Sequence, residues 1–204
     1  MNDCIGVILA GGLARRMGGG DKPLVEIAGR PILQHVIDRL KPQCGLLAIN
    51  ANGDPARFSA FGLPVICDSV EGFAGPLAGV LAGMDFGAAK GAAHVLSAPG
   101  DTPFLPADLL SRLRAARTRT GATIAVAASK GRTHHAVALW PVALRDDLRR
   151  ALVAEDERRV SAFIGRYANV IVDWPIEPYD PFFNVNRPED LARADAIAKD
   201  ESRG

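Results

Sequence analysis

The chain has 204 residues, of which 48% are hydrophobic, and its formal net charge is +1. This length and hydrophobic content predict one domain, residues 1–204, with a substantial core. The balanced charge argues against a nucleic-acid partner, which would select for a strongly basic face. No segment is long enough to span a membrane. No signal peptide is evident either, because Asp3 and a glycine-rich loop interrupt the first apolar run too early.

The cysteines bear on the redox compartment. Cys4, Cys44 and Cys67 are few, odd in number and far apart in the sequence. This pattern favours reduced thiols over a disulfide framework or a zinc site. Together with the lack of a signal peptide, it predicts a cytoplasmic protein.

Apolar strand-like runs alternate with helical patterns along the chain, which predicts an α/β fold with a largely parallel sheet. His35 falls on the polar face of the first helix and is expected at the surface. The predicted elements, in order, are a strand over 5–9, a glycine-rich loop, a turn or hairpin over 25–30, a helix opened by Pro31 and ended by Pro42, strands over 46–50 and 63–67, a helix over 75–86, a strand over 94–98, a basic helix over 106–119, strands over 123–127 and 136–140, a charged helical segment over 141–169, a short strand over 170–172 and a terminal helix over 188–200.

The loop after the first strand is dense in glycine, arginine and lysine. Glycines let the backbone approach a ligand and point successive N–H groups at it, and the cationic side chains add charge. This combination suits a polyphosphate, although the loop is neither a Walker loop nor G-x-G-x-x-G. Lys22 and Arg15 are the natural cations for the phosphates, with the N–H groups of Gly11 and Gly12 beside them. A purely structural turn would need neither cation.

Polar residues follow several of the predicted strands. The loops that start at Gly11, Asn50, Asp68 and Asp101 can converge on one crevice, because ligands of open α/β sheets bind outside the carboxyl ends of the strands. Asp101 lies in Pro-Gly-Asp-Thr-Pro directly after a buried strand and is the candidate ligand for Mg²⁺, which takes few carboxylates and keeps phosphate oxygens and water. The alternative for Asp101 is an Asx-turn that organises the prolines.

The first motifs resemble a known signature. Leu9-Ala10-Gly11-Gly12, then Arg16-Met17-Gly18, then Asp21-Lys22, is similar to nucleotidyltransferases that join an NTP to a phosphorylated acceptor, and most similar to the molybdenum cofactor guanylyltransferase family. The resemblance extends from Gly6 to about Leu191. It implies a Rossmann-like three-layer nucleotidyltransferase domain with a mostly parallel sheet. It also implies Mg²⁺ as cofactor and transfer of GMP from GTP to the terminal phosphate of molybdenum-molybdopterin, with release of pyrophosphate.

The resemblance assigns roles to individual residues. Asn50 and Asp68 match positions that contact the guanine nucleotide, through the base edge or the ribose, although such residues are also common in turns. Gly75 begins a motif in which the backbone approaches the nucleotide, and close helix–sheet packing at Gly79 is the alternative. The implied catalytic residues are Arg15, Lys22 and Asp101, and the implied GTP contacts are Leu9, Ala10, Gly11, Gly12, Lys22, Asn50, Asp68, Gly75 and Asp101, with Asp101 also binding the metal.

The acceptor side rests on two further segments. Near the C-terminus, the segment 183–191 resembles the family pattern Asn-x-Asn-x-Pro-Glu-[Asp/Glu]-Leu. Asn184 is predicted to face the metal or the acceptor, and Asn186 to cap the last helix with Glu189 at the capping-box spacing. Arg158 and Arg159 match a basic pair that is a candidate for the acceptor phosphate. Their alternative is a solvated cluster with the neighbouring acidic residues 155–157.

Other possibilities remain open at this point. A cytidylyl relative that uses CTP and a sugar-phosphate nucleotidyltransferase are the nearest alternatives, and a non-catalytic nucleotide-binding module is a third. The neighbouring His134 and His135 would point in opposite directions on a strand, which argues against a joint metal site. The implied partners are GTP, molybdenum-molybdopterin and cofactor-insertion and delivery proteins, with no nucleic acid and no membrane.

Overall fold

A central sheet of seven strands organises the structure, a computed structural model that describes residues 3–11, 22–70, 72 and 75–201. A separate two-stranded hairpin lies beside it. The strands of the described residues are β1 (Cys4–Leu9), β2 (Glu26–Ile27), β3 (Arg30–Pro31), β4 (Leu46–Asn50), β5 (Val65–Ile66), β6 (His94–Pro99), β7 (Ile124–Ser129), β8 (Arg132–Pro141) and β9 (Asn169–Trp174).

The sheet has the order β5-β4-β1-β6-β8-β7-β9. Only β8 runs against the others, since it pairs antiparallel with both β6 and β7. The pairs β1–β4, β1–β6, β4–β5 and β7–β9 are parallel. The predicted α/β fold with a mostly parallel sheet is therefore confirmed. The carboxyl ends of β1, β4, β5, β6 and β7 all lie at one edge, which is where an open α/β sheet binds ligands.

Helices cover both faces of the sheet and make three layers. The helices of the described residues are α1 (Ile32–Leu40), α2 (Pro76–Ala89), α3 (Leu109–Thr120), α4 (Arg145–Val153), α5 (Val160–Ile164) and α6 (Pro188–Glu201). Helices α1 and α3 share one apolar cluster with the sheet, and α2, α4 and α5 share another. Strand β1 supplies both, because Ile8 is buried on the first side and Val7 on the second. Such burial on both faces explains the continuous apolar runs in the sequence.

Helix α2 approaches the sheet closely through glycines spaced four residues apart. A Cβ on Gly83 would lie 2.8 Å from the nearest Val7 methyl, and one on Gly87 would lie 3.2 Å from a Val95 methyl. Glycine at these positions removes the atoms that would hold the helix away. The N-terminal turn of α2 is thereby brought against the carboxyl edge of β1 and β4.

The hairpin and the last helix form a third, smaller apolar cluster. Strands β2 and β3 are joined by Ala28 and Gly29, both at positive φ (49° and 72°), as a two-residue hairpin of type I′ requires. Helix α6 packs its Ala194 and Ala198 against Ile27 of this hairpin. His35 is half-buried, with Nε2 3.1 Å from the Ile27 carbonyl oxygen. The prediction of a fully solvated His35 was therefore wrong, because the hairpin folds over that face of α1.

Several boundaries differ from those predicted. The segment 141–169 is not one helical stretch: a 3₁₀ turn and helices α4 and α5 are separated by the non-helical residues 154–159. Helix α3 starts at Leu109, three residues after Pro106. Strand β8 begins at Arg132, so His134 and His135 lie within it and not before it. No helix in the described part of the chain has the length and apolar character needed to cross a membrane.

Candidate active site

A cleft of about 500 Å³ opens at the carboxyl edge of β1, β4, β5 and β6. Its volume is typical of small-molecule sites. The lining residues come from seven separate parts of the chain and are Leu9, Gly11, Asn50, Asn52, Asp68, Gly75, Pro76, Pro99, Asp101, Ala136 and Asn184. The structure thus brings together the predicted Leu9, Gly11, Asn50, Asp68, Gly75, Asp101 and Asn184.

One half of the cleft is built around Asp101, which follows β6. Its Oδ2 is 2.5 Å from Lys22 Nζ, and the Lys22 ammonium also donates to Asn186 Oδ1. Both side chains of the ion pair are largely buried, at 13% and 19% exposure for Lys22 and Asp101. The pairing links a cation from the N-terminal loop with a carboxylate from the middle of the chain. The predicted candidates Lys22, Asp101 and Asn186 therefore form one polar cluster.

The segment before α6 is tied to the turn after β6. The Val185 amide donates to the Asp101 carbonyl over 3.0 Å, and the Thr102 hydroxyl donates to Asn184 Oδ1 over 3.0 Å. Thr102 is completely buried. This hydrogen bond holds the Asn184 amide at the cleft. Thr102 could not be singled out from the sequence, because a threonine between a carboxylate and a proline suggests only a turn.

The start of α6 differs from the predicted cap. The helix begins at Pro188, and the carboxylate of Asp190 accepts from the amides of Asn186 and Arg187, at 2.9 Å each. Glu189 is not the capping carboxylate, so the predicted pairing of Asn186 with Glu189 was wrong. The register is shifted by one residue, and the Asn186 side chain is consequently available for Lys22.

The other half of the cleft is a set of amide and carboxylate groups from the loops after β4 and β5. Asn50 is 5% exposed and donates through Nδ2 to Asp68 Oδ1 over 2.9 Å and to the Ile66 carbonyl over 3.2 Å. Asn52 donates to Asp68 Oδ2 over 2.7 Å. Both oxygens of the Asp68 carboxylate are therefore oriented by amides. The sequence analysis identified Asn50 and Asp68 but not Asn52.

Helix α2 reaches this half of the cleft at its first turn. Gly75 and Pro76 line the cleft, and a Cβ on Gly79 would lie 2.2 Å from Asn50 Oδ1 and 2.7 Å from Leu9 Cδ2. No side chain fits at residue 79 without moving its neighbours. The packing alternative for Gly79 thus holds, and what the glycine packs against is a predicted site residue.

The N-terminal candidates are only partly described. Ala10 is buried and its amide donates to the Asn50 carbonyl over 2.9 Å, so it supports the cleft floor. Gly11 is exposed and lines the cleft. Gly12 and Arg15 lie outside the described residues.

Arg158 and Arg159 are not brought to the cleft lining. They lie between α4 and α5 and pair with neighbouring carboxylates: Arg158 Nε is 2.9 Å from Asp156, and Arg159 Nε is 3.3 Å from Glu157. These contacts match the alternative of a solvated charge cluster.

A hydrogen-bonded chain joins the buried Ser129 to the half-buried His134 and Asp180 and was not anticipated. Ser129 is 1% exposed, and its hydroxyl donates to Asp180 Oδ1 over 2.8 Å while lying 2.8 Å from His134 Nε2. Because the hydroxyl proton goes to Asp180, His134 donates to Ser129. Burial lowers the pKa of His134, and the Asp180 carboxylate opposes that shift. Asp180 also accepts from the Phe182 amide over 3.0 Å, which fixes the segment that carries Asn184.

The possible metal ligands around Asp101 are hard oxygens. Asp101 supplies a carboxylate, the amide oxygen of Asn184 contacts Thr102 in the same turn, and the amide oxygen of Asn186 contacts Lys22. In the described part of the chain no group of three His, Cys, Asp or Glu residues could hold a metal ion by itself. Such a set fits a cation that takes one carboxylate and fills its shell from phosphate and water, as Mg²⁺ does, and not a cation that needs an all-protein cage.

A mostly parallel sheet between helical layers, with a polar cleft at its carboxyl edge, is shared by many open α/β folds. The structure matches molybdopterin-guanine dinucleotide biosynthesis protein A from Archaeoglobus fulgidus with a TM-score of 0.73 and 23% identity, over 97% of this chain and 99% of that one. It also matches CMP:2-keto-3-deoxy-manno-octonic acid synthetase complexed with CTP, with a TM-score of 0.70 and 17% identity, over 97% and 99% of the two chains. These matches show the fold. The chain belongs to the MobA-like NTP transferase domain family, whose model matches residues 6–170.

Curated relatives agree with this assignment. The molybdenum cofactor guanylyltransferase of Rhodopseudomonas palustris (strain BisB5) is 64% identical over 199 residues, which is 97% of this chain and 95% of the relative. The protein of the same description from Bradyrhizobium sp. (strain ORS 278) is 58% identical over 200 residues, 97% of this chain and 94% of the relative. The chain is a nucleotidyltransferase.

Proposed function

We propose that the protein transfers GMP from GTP to the terminal phosphate of molybdenum-molybdopterin, forming the guanine dinucleotide form of the cofactor and pyrophosphate. The observation that carries this proposal is the cleft, in which the Lys22–Asp101–Asn186 cluster and the Asn50–Asp68 pair lie at one sheet edge. The first cluster suits phosphates and the second suits a purine edge. The guanylyltransferase relatives favour GTP over the CTP and sugar-phosphate alternatives.

The half of the cleft formed by Lys22, Asp101 and Asn186, here called the phosphate half, would neutralise the charge of the triphosphate. Lys22 is held at the cleft by Asp101 and Asn186, so its ammonium is already placed where an anion is to be bound. Arg15 and the amides of Gly11 and Gly12 are proposed to complete this phosphate site. Positioning and electrostatic stabilisation carry most of the catalysis in phosphoryl-type transfer.

Asp101 is the residue proposed to hold Mg²⁺, with the amide oxygens of Asn184 and Asn186 beside it. When bound, Mg²⁺ supplies charge neutralisation for the phosphate oxygens and the leaving pyrophosphate. Asp101 Oδ1 lies 3.5 Å from the Thr102 hydroxyl, which donates its proton to Asn184, so this carboxylate oxygen has lone pairs to offer a cation. Lys22 holds the other oxygen of the same carboxylate.

The reaction needs no nucleophile from the protein. An oxygen of the acceptor phosphate forms a bond to the α-phosphorus of GTP, and the bond from that phosphorus to the bridging oxygen of the pyrophosphate breaks. A phosphate monoester is largely ionised near neutral pH. The described residues that line the cleft include no Ser, Thr, Cys or His, which agrees with direct attack by the acceptor.

The half of the cleft formed by Asn50, Asn52 and Asp68, here called the base half, would recognise guanine through hydrogen bonds. A carboxylate accepts only, and guanine presents N1–H and N2–H₂ as neighbouring donors on one edge, so the Asp68 carboxylate is the proposed reader. Asn50 holds that carboxylate, Leu9 and Gly75 line the cleft, and Ala10 supports its floor. Cytosine lacks this pair of neighbouring donors, which gives a physical basis for choosing GTP over CTP.

The acceptor side is proposed to include Asn184 and Asn186, with Arg158 and Arg159 as a further prediction. Their ion pairs with Asp156 and Glu157 would have to open for the arginines to meet a phosphate. A double Arg158→Ala, Arg159→Ala variant is expected to keep its GTP affinity and to bind molybdopterin poorly. If the acceptor affinity, measured by equilibrium binding, is unchanged, Arg158 and Arg159 belong to a solvated surface cluster and have no role in acceptor binding.

A turnover assay tests the proposal. Purified molybdenum-molybdopterin is incubated with Mg²⁺ and, separately, GTP, CTP, ATP or UTP, and pyrophosphate release and the dinucleotide product are measured. We expect pyrophosphate release that depends on the acceptor and that occurs with GTP but not with CTP, ATP or UTP. Preference for CTP would identify a cytidylyltransferase, and nucleotide binding without turnover would identify a binding module.

We further propose that residues 1–204 form a single nucleotidyltransferase domain in the cytoplasm, which passes its product to cofactor-insertion and delivery proteins. The single-domain proposal is supported by the packing of α6 against the β2–β3 hairpin, which joins the two ends of the described chain. Limited proteolysis that released a stable fragment would contradict it.

A further inference from the structure

Asn52 is a polar side chain at the cleft that forms a reciprocal pair with Asp68. Its Nδ2 donates to Asp68 Oδ2 over 2.7 Å, and its Oδ1 accepts from the Asp68 amide over 2.9 Å. The two residues are 16 positions apart, so the pair joins the loop after β4 to the loop after β5. Asn52 is exposed and lines the cleft. It is therefore in a position to act on Asp68 from the solvent side.

The loop that carries Asn52 is fixed independently of its side chain. Arg57 donates to the Asn52 carbonyl over 2.6 Å, and its guanidinium lies 5.1 Å from the ring centre of the buried Phe58. The Asp54 carboxylate caps the following 3₁₀ helix by accepting from the Ala56 amide over 2.9 Å. The side chain of Asn52 is not needed for these contacts. Its removal should leave the loop folded and change mainly the Asp68 carboxylate.

We infer that Asn52 is a positioning residue that sets guanine selectivity through Asp68. This inference rests on the proposed function, in which the Asp68 carboxylate reads the base. The terminal torsion of an aspartate is broad, so a carboxylate held at only one oxygen can rotate. Asn50 holds Oδ1 and Asn52 holds Oδ2, and each oxygen keeps a second lone pair. The two hydrogen bonds fix the plane of the Asp68 carboxylate, and with it the remaining lone pairs that are proposed to accept from guanine N1–H and N2–H₂.

The inference separates the base from the phosphates. Loss of the Asn52 donor should weaken the contact to the 2-amino group, which ITP lacks, and should leave the phosphate half untouched. A purely structural role would instead weaken every ligand of the cleft. Comparison of GTP, ITP and inorganic tripolyphosphate therefore distinguishes the two roles.

The experiment measures equilibrium binding of these three ligands, each with Mg²⁺, to the full chain by calorimetry. The variants are Asn52→Ala, Asn52→Leu, which keeps the approximate shape without a donor or an added charge, and Asp68→Ala as the reference. Asn169→Ala is the matched control, because its amide bonds to backbone carbonyls at the far edge of the sheet. Thermal unfolding of each variant reports whether the fold is kept.

In both Asn52 variants we expect GTP affinity to fall about tenfold, as for loss of a hydrogen bond to a charged group. ITP should fall less, and tripolyphosphate and the Asn169 variant should stay at the wild-type value. An unchanged GTP-to-ITP ratio in the Asn52 variants, with the ratio lost in Asp68→Ala, would overturn the inference and keep the proposed function. Equal losses for all three ligands would also overturn it. A wild-type protein without GTP preference, or an unchanged ratio in Asp68→Ala, would overturn the base assignment and the inference together.

Discussion

Replacement of Gly79 by alanine tests whether the first turn of α2 positions the base half of the cleft. The added Cβ would lie 2.2 Å from Asn50 Oδ1 and 2.7 Å from Leu9 Cδ2, closer than real Cβ atoms approach other heavy atoms. Alanine gains about 1 kcal/mol over glycine in helix propensity. Overpacking costs about 1–3 kcal/mol. The net loss of unfolding free energy is therefore expected to reach about 2 kcal/mol.

The functional effect of Gly79→Ala follows from the displacement of Asn50. To clear the new methyl group, Asn50 must move and give up its 2.9 Å hydrogen bond to the Asp68 carboxylate. A hydrogen bond to a charged group contributes about 1.5–3 kcal/mol. If the positioned carboxylate reads guanine, GTP affinity should fall by about tenfold or more, as measured by calorimetry.

Gly83→Ala is the matched control in the same helix. Its Cβ would lie 2.8 Å from a methyl group of Val7, a fully buried core residue away from the cleft lining. Urea unfolding should show lower stability in both variants, whereas only Gly79→Ala should lose GTP affinity. Wild-type GTP binding by Gly79→Ala, or equal binding losses in the two variants, would refute the reasoning.

Three further changes test the phosphate half of the cleft and the half-buried His134. Lys22→Ala should weaken GTP binding by about 1.5–3 kcal/mol, and more than GMP binding, since GMP lacks the outer phosphates; equal losses in a titration of both nucleotides would exclude this role. Asp101→Asn should bind GTP with modestly lower affinity and lose turnover by orders of magnitude, so near-normal pyrophosphate release would place the metal elsewhere. Burial lowers the pKa of His134 in the folded protein, whereas the pKa in the unfolded chain is about 6.5. The unfolded chain therefore binds the proton more tightly, and the unfolding free energy falls as the pH drops below about 6.5. Urea unfolding between pH 7.5 and 5.5 should show that the unfolding free energy of His134→Gln declines less than that of the wild type. A residual decline is expected from His94, whose pKa is also lowered by burial. The same decline in the variant and the wild type would argue against His134 as its source.

The sequence was sufficient for the fold and for the gathering of Asn50, Asp68 and Asp101. Asn50 ends β4, Asp68 follows the half-buried β5 and Asp101 follows β6, and the direction of a parallel sheet places their side chains at one edge. The antiparallel direction of β8 could not be predicted from the sequence. Its partners β6 and β7 have the same apolar character that a parallel neighbour would need. The polar start of β8, around His134, does not alternate clearly, because the pairing with β7 shifts register between Val126 and Ala127.

The missed features depend on partners that are distant along the chain. Asn52 stands in a loop rich in turn formers, and only the position of Asp68 distinguishes it from an ordinary turn residue. The cap of α6 depends on a one-residue choice between two neighbouring acids, Glu189 and Asp190. Spacing alone cannot make that choice, because it follows from where the preceding segment is anchored to Asp101 and Thr102.

The return of the chain from β9 to the turn after β6 has a consequence for the order of assembly. Lys22 contacts Asp101 across 79 positions and Asn186 across 164, and contacts of such long range form late because loop closure precedes them. During synthesis, the sheet through β6 could fold while Asn184 and Asn186 have not yet been added. The Asn50 and Asp68 loops, for which base binding is proposed, would then be complete before the Lys22–Asp101–Asn186 cluster is formed. The family model, whose match ends at residue 170, likewise does not extend to Asn184 and Asn186.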